Sequence, residues 1–298
     1  MKKELRSGAM LLTTAVIWGF AMAAQREAAR FLSPFTFNAA RFTLAALSLL
    51  PLMLLDNRRR GERLQKRDFL AGAATGSVLF IASLLQQAAV GEAGAGKAGF
   101  LTALYVVLVP VLGVFMGKKT AGAAWLALLL AIPALYLLCV GEDEAFRLAP
   151  SDGVLLLSAV FWALHILTTD HFAASVSALK LCAVQYAVGA ALNWAFALIF
   201  ETTPPENILP ALWAVAYCGV LSTAVGYTLQ TLGQKNCRPA VAALILSLES
   251  VFCVVAGALL LGERMSPRGY LGCGLMLLAV ALAQTGALLP GRKEKKHV

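Results

Sequence analysis

The sequence is short of charge: aspartate, glutamate, lysine and arginine together make up only 14% of its 298 residues. Soluble proteins carry about 25% charged residues, so this chain has too few to cover a water-facing surface. Hydrophobic residues make up 59%, and the mean hydropathy is +0.76. Because one transmembrane helix takes roughly 20 apolar residues, the chain has room for about ten such helices joined by short loops.

Residues that hold metals or carry out catalysis are also scarce. There are three histidines and six cysteines, and the cysteines show no metal-ligand spacing. No glycine-rich phosphate loop follows a strand pattern, and no nucleophile, histidine and acid form a recognisable arrangement. We therefore expect no cofactor and no metal, and the sequence indicates neither an ATP-driven pump nor an enzyme.

Ten apolar runs lie between clusters of charged or turn-forming residues. They cover residues 7–24, 35–55, 68–90, 97–117, 121–140, 151–169, 179–200, 208–232, 239–261 and 267–289. The first run follows a basic segment and could imitate a signal peptide. It has a repeat partner later in the chain, so we interpret it as a retained helix.

Basic residues are unevenly distributed between the loops. With ten spans, eighteen of the 25 lysines and arginines lie on the side of the two termini, including Arg58, Arg59 and Arg60. Cytoplasmic loops carry such an excess, so we expect a multi-pass protein of the cell inner membrane with both termini in the cytoplasm. The tail Arg292 to Lys296 could contact anionic lipid headgroups. The net charge of +9 thus indicates topology, and no aromatic–basic pattern points to a nucleic-acid partner.

The two halves of the chain resemble each other at an offset of 144 to 145 residues. Trp18 matches Trp162, and Gln86 matches Gln230. Each half has five spans, an odd number, so the halves should have opposite orientations in the membrane. We therefore expect an all-α membrane protein of ten transmembrane helices, built as two inverted five-helix repeats around a central cavity. The predicted repeats are residues 1–144 and 145–298, the second with the basic tail.

Polar and aromatic side chains inside the apolar spans are candidates for lining that cavity, because lipid cannot satisfy hydrogen-bonding groups. Matched positions in the two halves should lie at matched depths. The candidate substrate-binding residues are Trp18, Arg41, Gln86, Tyr105, Trp162, His165, Tyr227, Gln230 and Glu249. Of these, Tyr105 corresponds to Glu249 by the repeat.

Glu249 is the strongest candidate, since an ionised carboxylate near the middle of a span costs roughly 2.5–3.5 kcal/mol. It could bind a proton or face an ammonium group, or it could form a structural hydrogen bond or an ion pair with Arg41. Arg41 could bind a carboxylate or phosphate, or extend outward as a topological anchor. His165 could relay protons or bond to a neighbouring helix, and the tryptophans and Tyr227 could stack on a ring or simply pack.

Several segments are similar to the ten-helix EamA-type branch of the drug/metabolite transporter superfamily. They are Trp18-Gly19, Gln86-Gln87, the stretch Lys97 to Val107 with Pro110 following, and Gly262-Glu263-Arg264 before a glycine-rich last helix. The family often has Glu-Pro in the ninth helix, whereas this chain has Glu249-Ser250. A kink of the kind that proline supplies is therefore not expected there.

The resemblance implies export or facilitated flux of amino acids, nucleobases, other metabolites or drugs. The repeat and the matched polar positions independently favour a secondary transporter or facilitator that works by alternating access. Two alternatives are an intramembrane lipid-acting enzyme, with His165 and Glu249 as acid and base, and a non-catalytic membrane scaffold. The expected partners are a small-molecule substrate and membrane lipids. Small-residue faces on spans five and ten would suit a homodimer, or equally packing within one chain.

Overall fold

The computed structural model describes residues 2–93, 95–118, 120, 122–139, 149–261 and 266–288. Across these ranges the chain is helical and contains no strand. The helices are α1 (Lys2–Ala28), α2 (Pro34–Arg60), α3 (Lys66–Ala93), α4 (Ala95–Ala103), α5 (Tyr105–Phe115), α6 (Gly122–Cys139), α7 (Pro150–Ala173), α8 (Ala178–Phe200), α9 (Ile208–Ala216), α10 (Thr228–Gln234), α11 (Pro239–Leu246), α12 (Glu249–Leu261) and α13 (Pro267–Leu288). A π-helical segment, Tyr217–Tyr227, joins α9 to α10. The predicted boundary between the repeats and the basic tail lie outside the described residues.

Eight helical stretches in the described ranges are long and apolar enough to cross a membrane. Five of them are α1, α2, α3, α7 and α8, and the others are the composite stretches Ala98–Phe115, Pro205–Gln234 and Pro239–Ala256. Gly122–Leu137 and Pro267–Ala283 are shorter apolar helices. The predicted all-helical, multi-span membrane protein is therefore confirmed.

The surface of the bundle is apolar over much of its area. Phe115 is 85% exposed and Leu198 is 80% exposed, as suits side chains that face lipid. Polar side chains such as Thr14, Asn38 and Gln185 are instead completely buried between helices. This inside-out distribution is what a bilayer imposes on a helical protein.

One end of the bundle, which we call the basic end, carries the loops 61–65, 174–177 and 235–238. Lys180, at the start of α8, is only 3% exposed and donates to Glu62 at 2.7 Å in the first of these loops. Asp68 at the start of α3 lies 3.7 Å from the same ammonium. Lys118 after α5 pairs in the same way with Asp170 near the end of α7. These pairs fix neighbouring helix ends at the basic end.

The fourth and ninth spans are each interrupted near the middle of the bundle. α5 begins at Tyr105 and α12 begins at Glu249, and a turn precedes each residue. At the second break the Ser250 N–H donates to the Ser247 carbonyl three residues earlier, at 3.2 Å. The expectation of no kink in the ninth span is therefore wrong, because the helix breaks there without a proline.

Glycines set how closely the central helices approach. A Cβ atom added at Gly72 would lie 2.4 Å from the Cβ atom of Val184, so α3 packs directly against α8. A Cβ atom at Gly19 would lie 2.5 Å from the Cβ atom of Phe252, so α1 packs equally closely against α12. Ser158 on α7 donates to the Ala82 carbonyl on α3 at 3.1 Å. α1 with α12, and α3 with α7 and α8, are thus held in close contact.

Candidate functional site

A small cavity lies in the middle of the bundle, lined by side chains from both halves of the chain. One wall comes from α1, the π-helical segment, α10 and α12, and the facing wall comes from α3, α4, α5 and α7, with one residue of α2. The lining residues are Trp18, Ala21, Met22, Gln25, Arg41, Gln86, Thr102, Tyr105, Trp162, Ile166, Ser222, Tyr227, Gln230 and Glu249.

The interrupted helices bring Tyr105 and Glu249 together across the cavity. The Tyr105 hydroxyl donates to the Glu249 carboxylate at 3.3 Å. Each residue is the first of its half-helix, and the turn before it accepts hydrogen bonds from the helix that follows. At α12 the Ser250 and Phe252 N–H groups donate to the Ser247 and Leu248 carbonyls. The two helix breaks thus place a phenol and a carboxyl group face to face in the centre of the bundle.

Three aromatic rings, which we call the aromatic wall, lie side by side in the cavity: Trp18 and Tyr227 come from the first set of helices, and Trp162 comes from α7 in the second. The Trp18 indole N–H donates to the Ser222 carbonyl at 3.0 Å, which fixes its ring against the π-helical segment. Its ring centroid lies 4.8 Å from that of Tyr227. The rings of Trp162 and Tyr227 stack with an interplanar angle of 10° and a centroid separation of 6.0 Å. Rings held in this way offer flat apolar surface to a solute.

Arg41 supplies a buried cation. Arg41 is only 2% exposed. Its Cζ atom lies 5.5 Å from the centre of the Phe37 ring and 5.0 Å from the centre of the Phe42 ring. One nitrogen donates to the Gln25 side chain at 3.4 Å, while Nε and Nη2 have no partner among the described residues. The side chain does not extend to the surface. Arg41 and Glu249 both line the cavity, and no ion pair joins them in the described part of the chain.

The two glutamines matched by sequence differ in their partners. Gln86 makes a long contact of 3.7 Å from its amide nitrogen to the Met22 sulfur. Both amide atoms of Gln230 are buried and have no partner within the described residues. Buried amides almost always have partners in proteins, so these groups are available to a bound solute or to water.

Eight of the nine candidate residues line the cavity, and His165 does not. His165 is 1% exposed, and its Nε2 atom lies 3.2 Å from the Gln185 side-chain oxygen on α8. Its ring meets the rings of Trp162 and Tyr227 edge-on, at centroid distances of 6.0 Å and 5.6 Å. The structure thus places His165 directly behind the aromatic wall, bonded to a neighbouring helix.

Sequence reasoning left several lining residues out of the candidate set. Gln25 follows Trp18 by seven residues and therefore lies on the same face of α1, which was a usable signal. Thr102 precedes Tyr105 by three residues and gave the same kind of signal. Met22 and Ile166 gave none, because an apolar side chain in an apolar helix does not reveal which way it faces. Only the tertiary arrangement identifies such residues.

The family model described as the EamA-like transporter family matches the chain twice, at residues 6–140 and 150–285. A transporter of Archaeoglobus fulgidus is 29% identical over 94% of this chain and 86% of its own length. The inner membrane transporter YedA of Escherichia coli K12 is 24% identical over 92% of this chain and 89% of its own length.

Two further similarities are to an exporter and to a solved structure. The threonine/homoserine exporter RhtA of Escherichia coli K12 is 25% identical over 61% of this chain and 59% of its own length. A solved crystal structure superposes with a TM-score of 0.77, covering 96% of this chain and 99% of its own, at 19% identity. At that identity the likeness shows the fold alone.

Proposed function

The chain belongs to the EamA-like transporter family, and from that membership we propose that it moves a small metabolite across the inner membrane through its central cavity. The cavity lies between two walls of helices, as a route that opens alternately to either side requires. The family membership and the names of the relatives support transport of small molecules. The identity of the solute, its direction and the mechanism belong to the proposal.

The observation that carries the proposal is that a guanidinium and a carboxyl group line the same cavity. Arg41 and Glu249 both line it and are not joined to each other, so each can face a group of the solute. A guanidinium binds carboxylates through two parallel hydrogen bonds, and a carboxylate binds an ammonium group. The aromatic wall of Trp18, Trp162 and Tyr227 would accept an apolar or flat side chain. A zwitterionic or aromatic metabolite, such as an amino acid, fits this combination. The relative RhtA exports threonine and homoserine, which are zwitterionic amino acids.

The proposed orientation places the basic end in the cytoplasm, because positively charged loops remain there. The two walls of the cavity would then rock about the bound solute and open it first to the cytoplasm and then to the outside. Export is the proposed direction, because the relative RhtA is an exporter.

The test compares metabolites inside and outside cells that express the wild type, Glu249→Gln, Glu206→Gln or an empty vector. Glu206 is an exposed glutamate outside the cavity, so its variant controls for the loss of one carboxylate. We expect one class of compound to leave the cells with the wild type and with Glu206→Gln, but not with Glu249→Gln at equal membrane levels. Equal flux with Glu249→Gln would refute the role of that carboxylate. Profiles identical to the empty vector would contradict export of a cellular metabolite.

A further inference from the structure

Four polar side chains lie between the cavity and the basic end, and we call them the inner polar cluster: His165 and Thr169 on α7 and Gln230 and Gln234 on α10. Thr169 follows His165 by four residues, and Gln234 follows Gln230 by four, so each pair shares one face of its helix. None of the four residues is more than 1% exposed. Of the four, Gln230 also lines the cavity, so the cluster continues the cavity toward the basic end.

The inner polar cluster contains several buried polar atoms that have no hydrogen-bond partner within the described part of the chain. His165 Nδ1, Thr169 Oγ1, Gln234 Oε1 and both amide atoms of Gln230 are buried and have no hydrogen-bond partner in the described ranges. Native proteins satisfy nearly all such groups, because an unmade buried hydrogen bond costs free energy. Within a membrane bundle this free-energy cost is offset only where the groups face other polar groups, or face a water-filled cavity in some conformation of the protein. Their grouping on facing helices indicates a region that becomes wet in another conformation.

One hydrogen bond joins the two helices that carry this cluster. The Gln234 side-chain amide on α10 donates to the Ile166 carbonyl on α7 at 2.9 Å, and Ile166 itself lines the cavity. This bond joins the two walls at the side of the basic end.

A similar bond joins the walls at the opposite end. There the Gln87 amide on α3 donates to the Gln25 carbonyl on α1 at 3.1 Å, and Gln25 also lines the cavity. Each of the two glutamines has a second amide atom, Oε1, that is buried without a partner among the described residues. A side-chain amide bonded to a helix carbonyl thus holds the walls together at each end.

We infer that the inner polar cluster is a second solute site, closed in this structure by the Gln234–Ile166 bond and opened toward the basic end when that bond breaks. This inference rests on the proposed transport function. The site contains amides, an imidazole and a hydroxyl, and its four residues include no carboxylate and no guanidinium. It would therefore take neutral hydrogen-bonding groups of the solute, together with water.

The test measures access of a thiol reagent to the cluster. A cysteine is placed at Thr169 in a background whose native cysteines are replaced by serine or alanine, and its modification rate is measured with a charged methanethiosulfonate in detergent. Thr75→Cys is the control, because Thr75 is completely buried on α3 and its hydroxyl already bonds to the Ala71 and Gly72 carbonyls.

The perturbation is Gln234→Ala, with Gln87→Ala as the matched change at the opposite end. Losing one neutral hydrogen bond should shift the opening equilibrium by about two- to tenfold. We expect Gln234→Ala to raise the modification rate at position 169 by that factor, while Gln87→Ala leaves it unchanged or lowers it. The rate at position 75 should change with neither. An unchanged rate at 169, or an equal rise with Gln87→Ala, would overturn the inference.

Hydrogen–deuterium exchange of the same two alanine variants, with all native cysteines present, covers the case in which the cysteine variants misfold. Gln234→Ala should speed exchange in 165–173 and 228–234, and Gln87→Ala should not. Equal exchange in the two variants would overturn the inference. If the wild type still moves solute, that result refutes the second site and leaves the transport function supported. Faster exchange in a protein that moves no solute would support an opening basic end and contradict the transport function.

Discussion

Gly19 provides a sharp test of how α1 and α12 are held together beside Glu249. An alanine Cβ atom at this position would lie 2.5 Å from the Phe252 Cβ atom, 2.8 Å from the Cys253 nitrogen and 2.8 Å from the Glu249 carbonyl oxygen. Non-bonded carbon atoms are at their optimum about 3.5–4.0 Å apart, so α1 and α12 would have to separate by roughly 1 Å. Two of the three contacts are backbone atoms, which cannot be avoided by a change of side-chain rotamer.

The cost follows from the overlap. Overpacking of this kind destabilises proteins by about 1–3 kcal/mol. Against that, alanine in place of glycine inside a helix gains about 1 kcal/mol. Gly8 lies on the same helix α1, and a Cβ atom there would meet nothing within 4 Å. Gly8→Ala therefore shows only the gain in helix stability, without overpacking. We therefore expect Gly19→Ala to be less stable than Gly8→Ala by about 1–3 kcal/mol, the overpacking term.

The assay is thermal unfolding of the purified variants in one detergent, followed by loss of the monodisperse peak. The unfolding temperature of the wild type should lie between those of Gly8→Ala and Gly19→Ala, or close to that of Gly19→Ala. Because the displaced Glu249 carbonyl belongs to the residue that faces the cavity, solute flux should also fall in Gly19→Ala. Equal stability of the two alanine variants would refute the close packing of α1 on α12.

Two further predictions concern charged residues. Arg41→Gln should raise the KM for a carboxylate-bearing solute by about tenfold or more, since a hydrogen bond to a charged group contributes about 1.5–3 kcal/mol. Arg30→Gln is the control, because this side chain is exposed and its loss should leave the KM unchanged. In the loop of the basic end, the hydrogen bond and charge of Lys180 lower the pKa of Glu62 below its ordinary value of 4.5. The Glu62 contribution to stability should therefore be complete above pH 4.5 and disappear as the pH falls through the lowered pKa.

The Glu62 prediction has an internal control. The difference in unfolding temperature between the wild type and Glu62→Gln, followed against pH, should shrink below pH 4.5. In a Lys180→Met background the same difference should be much smaller, because only the weaker attraction of Arg60 then remains. A difference of unchanged size with Lys180→Met would show that Glu62 acts through another partner.

Much of the fold could be predicted because a bilayer leaves few choices. Runs of about 20 apolar residues separated by charged loops can only be helices that span the membrane. The run 35–55 became α2, and the run 179–200 became α8, with small differences at the ends. The similarity to the EamA-type family was also confirmed. The opposite orientation of the two halves remains a prediction.

The breaks in the fourth and ninth spans could not be predicted from local sequence. The turn residues Leu104, Ser247 and Leu248 include neither proline nor glycine, the usual signals of a break. Packing in the centre of the bundle decides these positions, and so does the hydrogen bond between Tyr105 and Glu249. The π-helical segment Tyr217–Tyr227 has the same explanation: no residue type specifies it, and contacts such as that of Trp18 with the Ser222 carbonyl accompany it.

The cavity residues were predictable to the extent that they are polar. Lipid cannot satisfy a charge or an amide, so Arg41, Gln86 and Glu249 had to face inward, and the structure places all three on one cavity. His165 also faces inward for this reason, but it lies behind the aromatic wall. A side chain that faces the interior of the bundle therefore need not line the cavity. Which inward-facing side chains line it depends on the neighbouring helices, and the sequence alone does not show their arrangement.

The central claim is that the cavity carries a small solute, and flux from liposomes tests it most directly. Purified wild type and Glu249→Gln are reconstituted at equal density into liposomes loaded with labelled amino acids and nucleobases, with protein-free liposomes as the control. We predict that at least one zwitterionic or aromatic compound leaves the wild-type liposomes faster than the control, and that Glu249→Gln removes most of the difference. Retention of every compound by the wild-type liposomes, at the rate of the protein-free control, would contradict the claim.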